Sequence, residues 1–216
     1  MRRLALLLAL CAACSSGGYH PNIDPSRFSA HITNPFLPLV PGTTYHYVGT
    51  SGETQTKTTV TVTHRSFKIN GVPVVVVHDV DATAAGKRIE DTYDYFSQDS
   101  DGTVWYMGED TVSYEDAKPS RHGTWRYGRR GAQPGIAMEA HPKVGDRYRQ
   151  EYLPKHAEDE AKVIGVAHLQ VVTDEFTRLE PGNVERKAYE RGKGLVSLRS
   201  VKGEHEQAHL VLVTKS

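Results

Sequence analysis

Three groupings in this sequence combine residue types that do chemistry. His205-Glu206-Gln207-Ala208-His209 fits the H-E-x-x-H pattern, in which two histidines bind zinc and the glutamate acts as general base. That chemistry needs a helix, where side chains at i and i+4 share a face. Here Gly203 precedes the motif and an apolar, β-branched run from Leu210 to Thr214 follows it, so a strand is expected. On a strand the two imidazoles would stand about 13 Å apart and share no ion. The second grouping, Gln98-Asp99-Ser100-Asp101-Gly102, resembles part of a calcium loop. With Gly102 at the sixth position, the first position is Ser97 and the twelfth is Gly108, where carboxylates are needed. Asp-Gly between two aromatic runs is instead a hairpin signal. No metal and no cofactor are expected.

The third grouping is the arms of that hairpin with an arginine-rich segment. If Asp99 lies opposite Gly102, then Phe96 faces Trp105, Asp94 faces Met107 and Asp91 faces Asp110. Alternation then puts Asp91, Tyr93, Tyr95, Tyr106 and Asp110 on one face, and Asp94, Phe96, Trp105, Met107 and Glu109 on the other. Two carboxylates opposed across strands repel and call for a counter-charge. RHGTWRYGRR, residues 121–130, offers one: Arg126 or Arg129 is expected to meet these acids, by paired hydrogen bonds or by stacking on a ring. The candidate ligand-binding residues are therefore Asp91, Tyr93, Tyr95, Tyr106, Asp110, Trp125, Arg126 and Arg129. They form either a ladder of solvated ion pairs or a cleft for a sugar or a polar aromatic ligand.

Of the other histidines, His46 and His78 are the two that alternation can point into a barrel. There is no Gly-x-Ser-x-Gly elbow and no phosphate-binding glycine loop. A binding module is the favoured reading. The alternative is a carbohydrate-active lyase or hydrolase working through Tyr, His, Arg and paired carboxylates, with Glu139, His141, Glu151 and Tyr152 as further candidates.

The elements that must hold these residues are strands. From Thr43 onward, about ten short runs rich in β-branched and aromatic residues are separated by Asn-Gly at 70–71, Asp-Gly at 101–102, Pro-Gly at 181–182 and Lys-Gly at 202–203. This predicts an all-β fold: an antiparallel meander closed as a barrel or folded as a half-barrel or sandwich. At most one short helix is expected, in EDEAKVIGVAH.

The chain opens MRRLALLLALCAAC, with two arginines, a short apolar run and small residues before Cys14. This is the layout of a secretion leader, too short to span a bilayer. Ala12-Ala13-Cys14 matches a bacterial lipoprotein processing site, although Cys11 stands where leucine is usual. The expected organisation is a signal peptide over 1–14 ending at a lipidated Cys14, a flexible tether over 15–34, and one β-domain over 35–216. Such a protein belongs to the cell envelope, held on a membrane by its lipid. Both cysteines, Cys11 and Cys14, fall in the leader, so the domain rests on its own core without disulfides. With 26 basic and 26 acidic residues, loss of Arg2 and Arg3 leaves the mature chain slightly acidic, unlike a nucleic-acid binder.

Three stretches, NPFLPLVPGTTYHYVG (34–49), EDTYDYFSQDSDGTVWYMGED (90–110) and VGDRYRQEYLPKHAEDEAKV (144–163), resemble in this order an uncharacterised family of bacterial secreted proteins and lipoproteins. The resemblance implies the same compartment and a single β-domain, and it implies no activity.

Overall fold

The computed structural model describes residues 18–114 and 118–216. Cys14, and with it the expected lipidation site, lies outside the described residues. The strands are β1 Phe28–Ser29, β2 Thr43–Ser51, β3 Thr54–Ile69, β4 Val72–Thr83, β5 Arg88–Asp99, β6 Val104–Ser113, β7 Trp125–Arg126 and β8 Gln133–Met138. They continue with β9 Arg147–Arg149, β10 Glu151–Tyr152, β11 Asp159–Ala167, β12 Gln170–Thr177, β13 Val184–Glu190, β14 Gly194–Lys202 and β15 Glu206–Lys215. The one helical element among the described residues is a 3-10 turn at Pro25–Arg27, capped by Asp24, whose side chain accepts from Ser26 N at 3.0 Å. EDEAKVIGVAH, the one segment considered for a helix, is strand β11 with its two flanking residues.

Neighbouring strands pair antiparallel in a long meander, and β15 returns to pair with β2. The edges of this sheet are β9 and β10, which follow one another in the chain with only Gln150 between them. Gln150 N donates to Asp159 O at 2.8 Å, extending the β9–β11 ladder, while β10 pairs with β8. One bent strand thus nearly closes the sheet into a barrel. Gly135 of β8 makes the approach possible, since a Cβ there would stand 2.1 Å from the Gln150 carbonyl oxygen.

Local chemistry explains the hairpins. Asn70 and Gly71, with φ of 47° and 87°, join β3 to β4 as a two-residue turn of the kind that matches strand twist. At Asp99–Thr103 a three-residue loop takes its place. Asp99 Oδ1 accepts from the backbone N of Asp101 and of Thr103, and Gly102 carries the positive φ. The aspartates of this loop therefore build a turn, as the Asp-Gly signal predicts. Asp101 is further tied to Arg27 at 2.8 Å.

The run VPVVVV in β4 is apolar at consecutive positions because both faces are covered. Val75 and Val77 point into the barrel with Val62, Val104, Met138, Val163 and Val171. Val74 and Val76 point outward into a second cluster with Ile69, Tyr95 and Met107, and Ile23 and Phe28 pack over it. Each fully buried valine contributes about 1.5–3 kcal/mol.

The segment expected as a tether is irregular, yet it is packed from Tyr19 onward, where that ring meets Tyr152 at 5.4 Å. Phe28 and Ser29 pair with β5, and Ile32 is buried in the barrel core with Phe36 and Leu39 beyond it. Asn34 fixes the entry point: its side chain donates to Gly102 O and Glu139 O, and its Oδ1 accepts from Phe36 N. The apolar layer of the interior is thus filled by the chain's own lead-in.

Candidate functional site in the barrel interior

Along several of the strands the inward residues change from apolar to ionisable. On β4, Val75 and Val77 are followed by Asp79 and Asp81; on β5, read from its C-terminal end, Phe96 is followed by Asp94, Thr92 and Glu90. On β12 the inward series is Val171, Thr173 and Glu175, and on β13 Tyr189 and Lys187 complete it. The registers align these changes, so one half of the barrel holds the hydrophobic core and the other half holds acids. Between them lies a cavity of about 290 Å³, lined by tyrosines 45, 47, 106 and 189, by Phe96, and by Asp79, Asp94, Glu151, Asp159, Glu175 and Lys187.

A bulge in β6 assembles the centre of this cavity. Phe96 pairs with Tyr106 and Asp94 with Glu109, so Met107 and Gly108 together oppose Tyr95. Gly108 has φ 130°, and a Cβ on it would lie 2.5 Å from the Trp125 carbonyl oxygen. The extra residue turns Tyr106 and Glu109 to the same, inward face. The Tyr106 hydroxyl then contacts both Asp94 Oδ1 and Glu109 Oε2, the latter at 3.0 Å. A phenol has one proton to donate. Both contacts are hydrogen bonds only when one of the two carboxyls is itself protonated.

The electrostatics agree with this geometry. Asp79, Asp94 and Glu151 border the cavity, while Glu109 stands behind the Tyr106 hydroxyl that it contacts. Burial, opposed by the Tyr106 hydrogen bond, raises the Asp94 carboxyl to about 7. Burial and the neighbouring Asp94 charge raise Glu109 to about 8. Glu151 is pushed well above the carboxylate range by burial and by Glu109, Asp159 and Asp94. Asp79 is pushed up likewise, by burial and by Asp81 and Asp94, and its buried Oδ1 has no hydrogen-bond partner among the described residues. Glu175 differs. Burial works to raise it, but Lys187 at 2.8 Å overcomes that and keeps it ionised.

The residues expected to form a binding face fall into three places. Tyr106 lines the cavity, and Trp125 is buried behind it, edge-on at 5.3 Å. Tyr95, Asp110 and Arg126 meet on the outer surface, as the need for a counter-charge implies. Arg126 pairs with Asp110 and sits 4.9 Å from the centre of the Tyr95 ring, and the Tyr95 hydroxyl donates to Asp110 at 2.8 Å. Burial and the adjoining Asp110 push that phenol up to about 12. Asp91 lies elsewhere. It faces Val112 rather than Asp110, and it pairs with His78 at 2.9 Å and with Arg88. His78 stacks on Tyr93 at 4.3 Å, on the outside of the barrel. His46, between the inward Tyr45 and Tyr47, also faces out. The expected register was displaced first by the three-residue loop and then by the bulge, so Tyr106 and Met107 exchange faces and no single cleft is floored by Tyr93, Tyr95, Tyr106 and Trp125. Arg129 is exposed and makes no ion pair with a described residue, but it lines one outer recess together with Asp110, Trp125 and Arg126.

The interior acids were largely missed. Glu151 was a candidate, and Asp94 and Glu109 were placed together on one face, but Asp79, Asp159, Glu175 and Lys187 were not singled out. The usable signal was Gly108, since a glycine inside a strand marks a bulge. His205 lies just before strand β15 and His209 within it, not on a helix, as expected.

No family model matches this sequence, and no curated protein matches it. Among solved structures, the chain aligns with the crystal structure of a provisionally named lipoprotein from Parabacteroides distasonis, at a TM-score of 0.42 and 8% identity, covering 84% of this chain and 99% of that one.

Proposed function

We propose that this chain is an extracytoplasmic, lipid-anchored β-domain that holds a small ligand inside its barrel. The observation that carries the binding reading is the cavity itself. At about 290 Å³ it stands at the lower end of small-molecule sites, and it joins aromatic walls to a few convergent polar groups. The leader-like start and Ala12-Ala13-Cys14 support the anchor.

The test is a thermal-shift screen of neutral, anionic and cationic small molecules on the wild-type protein and on Ala137→Phe, which fills the cavity wall. Ligands of the interior stabilise the first and not the second; hits that stabilise both equally would refute the interior site. Mass spectrometry of the mature N-terminus tests the anchor, which requires an acylated Cys14.

A second reading follows from Asp94 and Glu109 sharing the Tyr106 hydroxyl. Two acids raised to about 7 and about 8 suit proton transfer near neutrality, as in acid–base catalysis on a sugar. Product analysis of the best hits separates the two, because a binding module returns its ligand unchanged.

A further inference from the structure

We infer that the ligand of the barrel interior is an organic cation, a protonated amine on a small aliphatic or aromatic body. The inference rests on the interior-binding reading and adds the chemical class. Charge balance is the first ground. Lys187 is committed to Glu175 at 2.8 Å and Glu185 at 3.2 Å, and Lys193 to Glu190 at 2.6 Å. Asp79, Asp94, Glu109, Glu151 and Asp159 are then left with no ion pair among the described residues, and Lys187 acts on Glu151 and Asp159 only from beyond contact. The second ground is a missing hydrogen bond: Asp79 borders the cavity, and among the described residues its buried Oδ1 has no partner, so a donor is missing beside the space a ligand would fill.

The walls and the approach fit the same class. Tyrosine and phenylalanine faces attract cations. A second recess shares Asp159, Glu175 and Lys187 with the cavity and is lined further by Glu180, Glu185, Glu204 and Glu206 against one more cation, Lys202. A mouth in which one charge sign predominates concentrates the opposite sign and speeds its entry. Among the described residues no three acids or imidazoles converge as ligands of a single metal ion, which favours an extended cation that meets the carboxylates one at a time. In the empty barrel, the raised acids carry protons near neutral pH. An entering ammonium group takes over the role of those protons, so binding releases protons to solvent.

The experiment is isothermal titration calorimetry of the wild-type protein with tyramine and spermidine, with neutral 4-ethylphenol and anionic 4-hydroxyphenylacetate as matched probes. The expected result is that at least one amine binds about tenfold or more tighter than both matched probes, the amount one charge-assisted hydrogen bond supplies. Its affinity should fall between pH 7.5 and 5.5. Titration at pH 7 in two buffers of different ionisation enthalpy should show net proton release. Asp94→Asn combined with Glu151→Gln should lose most of that affinity, whereas Asp101→Asn, on the outer turn, should lose none. Equal or tighter binding of either matched probe, or amine binding without proton release, overturns the cation while leaving interior binding intact. No binding by any of the four overturns both.

Discussion

The unpaired acids should make the empty barrel less stable as pH rises, and the effect can be sized. Asp94 has an ordinary carboxyl value of 3.8 when unfolded and about 7 in the barrel. The folded state therefore holds a proton that the unfolded chain has lost, throughout the window between those values. Linkage makes stability fall with pH wherever the folded state binds more protons. The contribution is fully favourable below about pH 4 and is lost as pH rises toward 7. A rise of about three at 1.36 kcal/mol each gives about 4 kcal/mol for Asp94 alone, as an upper limit. For a domain of this size 1 kcal/mol moves Tm by about 2–4 °C, so the melting temperature should drop by roughly 10 °C between pH 5 and 8.

Asparagine is a neutral stand-in for the protonated acid. Asp94→Asn should be nearly neutral at pH 5, stabilising at pH 8, and should flatten the curve between them. Urea denaturation at four pH values, read by circular dichroism, measures this directly. The Glu175–Lys187 pair does not confuse the window, because Glu175 is held ionised and Lys187 stays charged well beyond it. A wild-type profile flat from pH 5 to 8, or a slope unchanged by Asp94→Asn, would show that Asp94 has a compensating partner or reaches solvent, and the cation inference would lose its electrostatic support.

Two further outcomes follow from the outer face and the bulge. In a double-mutant cycle on Asp110→Asn and Arg126→Gln, the two effects should fall short of additivity by about 0.5–1 kcal/mol, since the pair is only partly exposed at 37% and 26%; strict additivity by urea melts would mean the pair contributes nothing. Gly108→Ala should cost about 1–3 kcal/mol, because its φ is hostile to a side chain and its Cβ would meet the Trp125 carbonyl; an unchanged melting temperature would argue against the bulge that brings Glu109 to the face of Tyr106.

The fold was readable because its signals are local. Asn70-Gly71 and Asp101-Gly102 turn where they stand, and β-branched runs make strands whatever their partners. The encounter of Arg126 with Asp110 was expected from a pairing that does not form, since Asp110 lies opposite Tyr93 rather than Asp91, yet Asp110 meets the arginine all the same. The interior site was not readable, because it depends on phase. The three-residue loop at Asp99–Thr103 sets Tyr106 opposite Phe96 and so turns it inward. The one extra residue at Gly108 then returns Glu109 to that inner face and Asp110 to the outer one, so a strict alternation mistakes the faces between loop and bulge. Closure then brings Asp94 and Glu109 beside Glu151 and Asp159, over forty residues apart in the chain, solely because Gln150 carries one bent strand from β11 to β8. The packed lead-in escaped notice because five prolines and several polar residues hide the few apolar contacts, at Ile32, Phe36 and Leu39, that seat it.

That division of the barrel bears on what the acids are for. The half lined by valines, and filled by Ile32, Phe36 and Leu39, supplies the burial that a disulfide-free domain needs. The other half needs no carboxylates to fold. Replacing buried charged groups with apolar residues of similar volume is often neutral or stabilising, so Asp79, Asp94 and Glu151 keep the empty domain below the stability its shape allows. Structural ion pairs would account for them if cations stood opposite, as Lys187 does for Glu175. The unpaired acids have no such account within the described chain, and a positive group arriving from outside is the simplest way to complete their hydrogen bonds and their charge.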